Sequence, residues 1–438
     1  MASSFLAISS YMSAAPLNPN YKSDEYEFYL NDLKPKIVLV EPNSTNSAVV
    51  VAKKLKIPIC EIKIKKDQPT GFFDLFNKEN NFNEPNENDE ALVLHTSGTT
   101  SRPKIVPLTN KNIYSSSLNI SKSLSLSEKD HCLNIMPLFH IHGLIAIIAS
   151  SMKSGASVCA SSGFNALKFL ELAKSEKITW YSGVPTMHQT IMLRAEKNLE
   201  LAKNLNLRLV RSSSASLPPA VFEKLNKVFN CPVIEAYGMT EATHQMTSNP
   251  LPPKKQKAGF VGIPAGPEVA IMNDNNQIMK NGEIGEICIK GNNVTSGYEN
   301  NPEANESSFN NGWFRTGDQG FFDQDGYLKI SGRLKEIINK GGEKISPLEI
   351  DNVLMDHPSI EQAVCFGYEV KMLGEDIATA IIVKEGMNCT EEDLKNYANE
   401  KLAKFKVPKK IFFVNEIPKG ATGKLQRNTL AKKFGLVN

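Results

Sequence analysis

Long apolar runs are missing from this chain. The longest candidate, residues 144–149, falls far short of a membrane-spanning helix, so no stable membrane insertion is expected. Paired cysteines are missing too. Cys60, Cys132, Cys159, Cys231, Cys288, Cys365 and Cys389 are scattered, odd in number and free of any CxxC spacing. That pattern excludes a disulfide framework, argues against zinc and points to a reduced compartment. Charge of one sign is scarce: 50 Lys and Arg against 47 Asp and Glu leave a formal net charge of +3. With no basic-aromatic stripe, nucleic acid is not an expected partner. No basic n-region precedes the weakly apolar Met1-Ala2-Ser3-Ser4-Phe5-Leu6, so no secretory signal is expected. Gly435-Leu436-Val437-Asn438 is not a peroxisomal Ser-Lys-Leu signal, and the cytoplasm is the expected location. No internal repeat is present.

What remains is an ordinary globular composition, 41% hydrophobic and 22% charged over 438 residues, long enough for two or more domains. Residues 24–30 read as a helix capped by Ser23, residues 37–40 as a buried strand and residues 47–55 as a second helix. Residues 178–181 and 207–210 read as further strands, and the βα rhythm implies a parallel sheet. Residues 1–15 read as a helix leading into Pro16, and residues 77–89 as a polar linker. From about residue 260, glycines punctuate short strands such as 286–289, and Asp325-Gly326 signals a hairpin. A small antiparallel or barrel-like subdomain is expected there, followed by a compact α+β tail from residue 336. The fold class is therefore α/β.

The chain is organised around Thr96-Ser97-Gly98-Thr99-Thr100-Ser101-Arg102-Pro103-Lys104, which follows the strand-like Ala91-Leu92-Val93-Leu94. Hydroxyls around one glycine supply side-chain and backbone donors that can wrap a polyphosphate. Arg102 and Lys104 add positive charge. The common GxxxxGK[ST] loop cannot be laid over this stretch, so taken alone it is equally a Ser/Thr-rich surface turn.

The loop has ordered companions. Tyr237-Gly238-Met239-Thr240-Glu241 follows the strand-like Pro232-Val233-Ile234-Glu235. Then come Gly312-Trp313-Phe314-Arg315-Thr316-Gly317-Asp318, Gly332-Arg333-Leu334-Lys335-Glu336 and Pro418-Lys419-Gly420-Ala421-Thr422-Gly423-Lys424. In this order the motifs resemble those of the acyl-adenylate-forming superfamily, from about residue 5 to the end. Pro137-Leu138-Phe139-His140-Ile141-His142-Gly143, Arg211-Ser212-Ser213-Ser214-Ala215-Ser216 and Glu241-Ala242-Thr243-His244 look most like its oxalate–CoA ligase branch. Lys340-Gly341-Gly342-Glu343-Lys344-Ile345-Ser346-Pro347 agrees.

The resemblance implies a large AMP-binding domain over residues 1–332, with parallel α/β sheets and a β-rich subdomain. It also implies a hinge at 333–335 and a mobile C-terminal lid at 336–438. A carboxylate would attack the α-phosphate of ATP, releasing pyrophosphate, and the thiol of coenzyme A would then attack the acyl-adenylate. Thr96, Ser97, Gly98, Thr99, Thr100 and Lys104 would hold the phosphates. Glu241 would ligand Mg²⁺, a hard cation suited to carboxylate oxygen. Glu235, Ala236 and Tyr237 would belong to the nucleotide site, with Tyr237 stacked on adenine, and Thr240 would contact the α-phosphate. Asp318 would accept from the ribose hydroxyls, and Arg333 would reach the ribose too. Lys424 would enter the site for adenylation, and Gly341 and Gly342 would admit the pantetheine arm of coenzyme A.

The acid is implied by polar residues where relatives line the acyl pocket: His140, His142, Ser214 and His244. His140 counts with Lys424 and Thr240 among the catalytic residues. Such groups suit the second carboxylate of a small diacid, any protonated histidine contributing charge. His142 is the histidine most suited to a merely supporting place, and His188 reads as structural. Oxalate is the first candidate. A 4-coumarate- or fatty-acid-type ligase and a catalytically compromised nucleotide-binding form stay open. Family members usually carry several dozen more residues before the position of Met1, so an unpaired sheet edge and exposed apolar surface are expected.

Overall fold

The computed structural model describes residues 1–64, 67–68, 71–74, 84–96, 103–370, 373–420 and 425–436. Its centre is a seven-stranded sheet in the order Ile263–Pro264, His244–Ser248, Val233–Met239, Leu209–Ser212, Trp180–Gly183, His131–Asn134 and Ser157–Ala160. The five strands from Val233–Met239 to Ser157–Ala160 run parallel. Helices Ala166–Ser175, Pro185–Ala195 and Pro219–Phe229 make crossovers and cover the sheet. Trp180–Gly183 and Leu209–Ser212 are therefore buried along their whole length, as central parallel strands are. Helix Pro219–Phe229 shows the patterning that docks it: Val221, Phe222, Leu225, Val228 and Phe229 form one buried stripe. Pro219 occupies the first turn, where no N–H is needed, and Asn230 closes the helix with φ 50°.

The expected β-rich subdomain is an antiparallel sheet of five strands: Glu268–Met272, Gly285–Lys290, Trp313–Phe322, Phe309–Asn310 and Leu328–Arg333. The Asp325-Gly326 turn joins Trp313–Phe322 to Leu328–Arg333, with Gly326 at φ +77° and its N–H donating to Asp323 O at 3.0 Å. The C-terminal domain has its own five-stranded sheet, in which Ile338–Lys340, Glu343–Ile345, Ile360–Val370 and Gly374–Val383 are antiparallel. Lys410–Phe413 adds a parallel edge. Apolar clusters within residues 338–436 are separate from the large core that runs from Phe5 to Leu328. The fold is thus α/β, with a large N-terminal domain and a C-terminal domain.

Glu90–His95 is a buried strand, as the apolar run at 91–94 implies, and it pairs antiparallel with Ile105–Thr109. The intervening 96–104 segment is too short for a parallel crossover, which takes a dozen residues or more. Some local expectations need correction. Ser23 lies inside helix Ser23–Leu33; Lys22 stands at the cap, its N–H donating to Glu25 Oε2 at 2.9 Å. The first helix is Ala2–Ser9 and does not reach residue 15. Pro16 biases Ala15 toward extended backbone, and Ala14 N donates to Ala91 O at 2.9 Å on the edge of Glu90–His95. Most of the expected linker at 77–89 lies outside the described residues. Val38–Val40 and Ile59–Glu61 pair in parallel with each other and, among the described residues, with no third strand. Cys132, Cys159, Cys231, Cys288, Cys365 and Cys389 are free thiols. Among the described residues no helix is long and apolar enough to cross a membrane. Residues 144–149 belong instead to His142–Ala149, a π-helical segment buried throughout.

Candidate active site

The sheet and its neighbours bring five of the sequence-predicted site residues, Ser214, Ala236, Tyr237, Asp318 and Arg333, to one cleft. Strand Val233–Met239 ends in the turn Thr240–Ala242, which carries Glu241. Ser116 Oγ donates to Thr243 O at 2.5 Å and Thr243 Oγ1 to Asn293 O at 2.7 Å, so the turn is held from both sides. Glu241 is buried, and its Oε1 accepts from the Tyr298 hydroxyl at 2.8 Å. Burial pushes its carboxyl pKa up, although Lys104 and Arg333 pull the other way. Lys104 Nζ stands 4.2 Å from the centroid of the Tyr298 ring. Burial lowers its pKa, Glu241 opposes that shift and Lys335 adds to it. Thr96 N donates to Lys104 O at 2.9 Å, and Lys104 N to Thr96 Oγ1 at 3.0 Å, closing the neck of the loop. Ser97, Gly98, Thr99 and Thr100 lie outside the described residues. Thr240 is half-buried at the start of the Glu241 turn. Tyr298 escaped the sequence reading because nothing in Ser296-Gly297-Tyr298 marks a site.

A second group lies along the cleft. The Tyr237 hydroxyl donates to Asp318 Oδ2 at 2.5 Å, and Arg333 Nε donates to Asp318 Oδ1 at 2.8 Å. Asp318 and Arg333 face each other because the hairpin registers them as partners. The Asp318 carboxylate holds the Arg333 guanidinium firmly charged, and burial with Asp318 beside it raises the Tyr237 phenol. Ala236, Tyr237, Asp318, Arg333 and Ser214 line one cavity of about 260 Å³. Glu235 does not: its Oε1 accepts from Leu217 N at 2.8 Å and its Oε2 has no partner among the described residues. Burial pushes that carboxyl up to about 8.

Behind Ser214 lies a buried polar cluster. His142 is wholly buried; its Nδ1 is 2.9 Å from Ser214 Oγ and its Nε2 is 2.6 Å from Ser182 Oγ. The His244 ring centroid is 5.0 Å from that of His142. His142 N donates to His140 Nδ1 at 3.2 Å, so His140 is tied to the start of the same helix. Two residues here hold left-handed backbone without being glycine, Ser214 at φ 71° and His244 at φ 94°, a form of strain that gathers at functional sites. Burial, with Arg211 adding to it, holds both His142 and His244 well below the usual imidazole range. The fixed positive charge is Arg211, fully buried behind them. Its signal was a guanidinium in an otherwise apolar strand, Leu209-Val210-Arg211. His188 is structural as expected: its Nδ1 is 3.1 Å from the Tyr181 hydroxyl, and burial lowers it to about 4.

The C-terminal domain closes the cavity with Leu425 and Arg427. Lys424 itself lies outside the described residues. Arg427 is anchored by Asp351 Oδ2 at 2.6 Å, by Glu336 Oε2 at 3.2 Å and by the Cys365 carbonyl. Gly341 and Gly342 form the turn between Ile338–Lys340 and Glu343–Ile345, at φ +61° and +93°, and do not line the cavity. Among the described residues no cluster of three acidic, cysteine or histidine side chains could hold a metal alone. Glu241 still fits Mg²⁺, which usually takes one or two carboxylates and shares itself with substrate phosphates. Its buried carboxylate, near the Lys104 ammonium, is the kind of donor such sharing needs.

Comparison with known proteins adds the family. The AMP-binding enzyme family matches residues 1–299, and the AMP-binding enzyme C-terminal domain matches residues 349–424. The oxalate–CoA ligase of Arabidopsis thaliana is 46% identical over 430 residues, spanning 96% of this chain and 84% of that one. The oxalate–CoA ligase of Saccharomyces cerevisiae is 43% identical, spanning 96% and 82%. Among solved structures, the o-succinylbenzoate coenzyme A synthetase of Bacillus subtilis in complex with ATP and magnesium ion superposes with a TM-score of 0.79. It is 30% identical and spans 94% of this chain and 83% of that one.

Proposed function

This chain belongs to the AMP-binding enzyme family, and on that premise we propose that it is an ATP-dependent acid–CoA ligase whose acid is oxalate. One observation carries the reading most. Ser214, hydrogen-bonded to a buried polar cluster, lines the same cavity as Tyr237, Asp318 and Arg333. An acid held at Ser214 therefore sits beside a nucleotide held at the other three.

The division of labour follows from the side chains. Thr96, Lys104 and the loop between them hold the β- and γ-phosphates, and Thr240 contacts the α-phosphate. Tyr237 gives its ring to adenine, and Asp318 receives the ribose hydroxyls while Arg333 fixes the carboxylate that does so. A carboxylate still has lone pairs beyond those used by Tyr237 and Arg333. Glu241 holds Mg²⁺, which supplies charge neutralisation at the phosphates. His140, His142, Ser214 and His244 form the acid pocket, with His140 beside the reacting groups. One oxygen of the acid attacks the α-phosphorus, and the bond to pyrophosphate breaks. Lys424 steadies the charge that this step relocates. The thiol of coenzyme A then attacks the acyl carbon and AMP leaves, with Gly341 and Gly342 admitting the pantetheine arm.

The chain is divided at residues 333–335, between the large domain over 1–332 and the small domain over 336–438. Leu425 and Arg427 lie on the cavity whereas the glycine turn does not, which supports a domain arrangement suited to adenylation. Rotation at Lys335 would exchange the two.

Purified protein with ATP, Mg²⁺, coenzyme A and oxalate should yield AMP, pyrophosphate and oxalyl-CoA in equal amounts by mass spectrometry. A product formed from a medium-chain fatty acid or 4-coumarate in preference to oxalyl-CoA would overturn the choice of acid.

A further inference from the structure

Arg211 is the most unusual residue of this molecule. It is fully buried, yet among the described residues no carboxylate lies within ion-pair distance of it. Its partners are neutral: Nη1 donates to Ser182 Oγ at 3.3 Å and lies 3.5 Å from His142 Nε2, and Nη2 donates to Gln245 Oε1 at 3.2 Å. Its Nε has no partner among the described residues. A buried cation without an anion is costly, and burial pushes its pKa down to about 9.

The hydrogen-bond directions around it can be assigned. A guanidinium only donates. Ser182 Oγ accepts from Arg211 and keeps its own hydroxyl proton available to His142 Nε2, at 2.6 Å. Arg211 Nη1 also points its proton toward that nitrogen. Nε2 is therefore the bare nitrogen of a neutral ring, and Nδ1 carries the proton. Nδ1–H donates to Ser214 Oγ at 2.9 Å. With its oxygen engaged as acceptor, the Ser214 hydroxyl has its own proton to give. Ser214 lines the cavity, so that proton is presented to whatever occupies it.

We propose that Arg211 and Ser182 are positioning residues that fix the His142 tautomer, making Ser214 a hydrogen-bond donor to the acid's distal carboxylate. The uncompensated charge of Arg211 makes the pocket favour a second negative charge over a neutral end. The selectivity half of this inference rests on the dicarboxylate reading above; the tautomer half does not. An anion seated at Ser214 supplies the counter-charge that the protein withholds. A monocarboxylate with a neutral tail leaves the guanidinium uncompensated.

Oxamate tests the charge, because it keeps the shape of oxalate and replaces one carboxylate with an amide. Pyrophosphate release with oxalate and with oxamate is compared in the unaltered protein and in Arg211→Gln, Arg211→Lys and Ser182→Ala. The unaltered protein should favour oxalate by kcat/KM at least about ten-fold, the scale on which one well-placed polar contact discriminates. Arg211→Gln should raise the oxalate KM, collapse that preference and leave the ATP KM within about two-fold. Arg211→Lys should restore part of the preference, and Ser182→Ala should weaken it. Equal losses with both acids, or a rise confined to the ATP KM, would overturn the proposal. Nitrogen-15 shifts of the His142 ring in the unaltered protein should show Nδ1 protonated and Nε2 bare. The opposite tautomer would overturn the relay whatever acid the enzyme takes. No turnover of any dicarboxylate by the unaltered protein would overturn the function and, with it, the selectivity claim.

Discussion

At the scale of residues, this molecule keeps several ionisable groups where burial and not a partner sets their charge. Glu235 is the cleanest case. Its folded pKa of about 8 stands above the ordinary 4.5, with burial as the largest cause and the Leu217 N–H opposing it. The sign follows directly. A carboxyl with a raised folded pKa binds more protons folded than unfolded. Its stabilising effect is full below about 4.5 and is lost as pH rises toward 8. Glu235→Gln keeps an oxygen for Leu217 N and removes the titration. Thermal melts of the ligand-free protein from pH 5 to 8 should fall with pH more steeply in the unaltered chain than in the variant, by roughly a few kcal/mol at most. Equal slopes would show that Glu235 stays ionised when folded. Arg211 pairs with this picture from the other side, as a buried cation with neutral partners.

At the scale of elements, the strands that carry Tyr237 and His244 are held together at Gly238, where there is no room for a side chain. Val233–Met239 and His244–Ser248 shift register between Tyr237 and Gly238. A Cβ on Gly238 would lie 1.7 Å from His244 O, a backbone atom with no room to retreat. Gly238→Ala must therefore move the strand that carries His244 or the one that carries Tyr237. The variant should lose about 2 kcal/mol of stability or more by denaturant titration, together with most of its activity. A variant as stable and active as the parent would mean that the strands are not held at this spacing.

Much of this layer was legible beforehand. The apolar runs at 178–181 and 207–210 fall on real parallel strands, shifted by two residues toward Ser182 and Ser212, whose side chains the apolar pattern had no reason to include. The Asp325-Gly326 hairpin was legible because the turn needs a residue with positive φ. The direction of Glu90–His95 was not, since a short buried run reads alike in parallel and antiparallel sheets. Tyr298 and Arg211 were not either. Their roles depend on Glu241 and His142, which are distant in the chain and near only in the fold.

At the scale of the whole molecule, two separate cores meet over one cavity. The large core holds the sheet whose strand ends carry Glu241, Ser214 and Tyr237. The small one brings Arg427, tied to Glu336 beside the proposed hinge and to Asp351 in its own core. That tie puts Leu425 and Arg427 on the cavity that Ser214, Tyr237, Asp318 and Arg333 also line, whereas the Gly341-Gly342 turn lies off it. In this arrangement adenylation should run without coenzyme A. The most direct measurement is acid-dependent exchange of labelled pyrophosphate into ATP, with Mg²⁺ present and coenzyme A omitted. Oxalate should support exchange at least about ten-fold faster than malonate, 4-coumarate or a medium-chain fatty acid. Faster exchange with the fatty or aromatic acid, or none with any acid, would contradict the account.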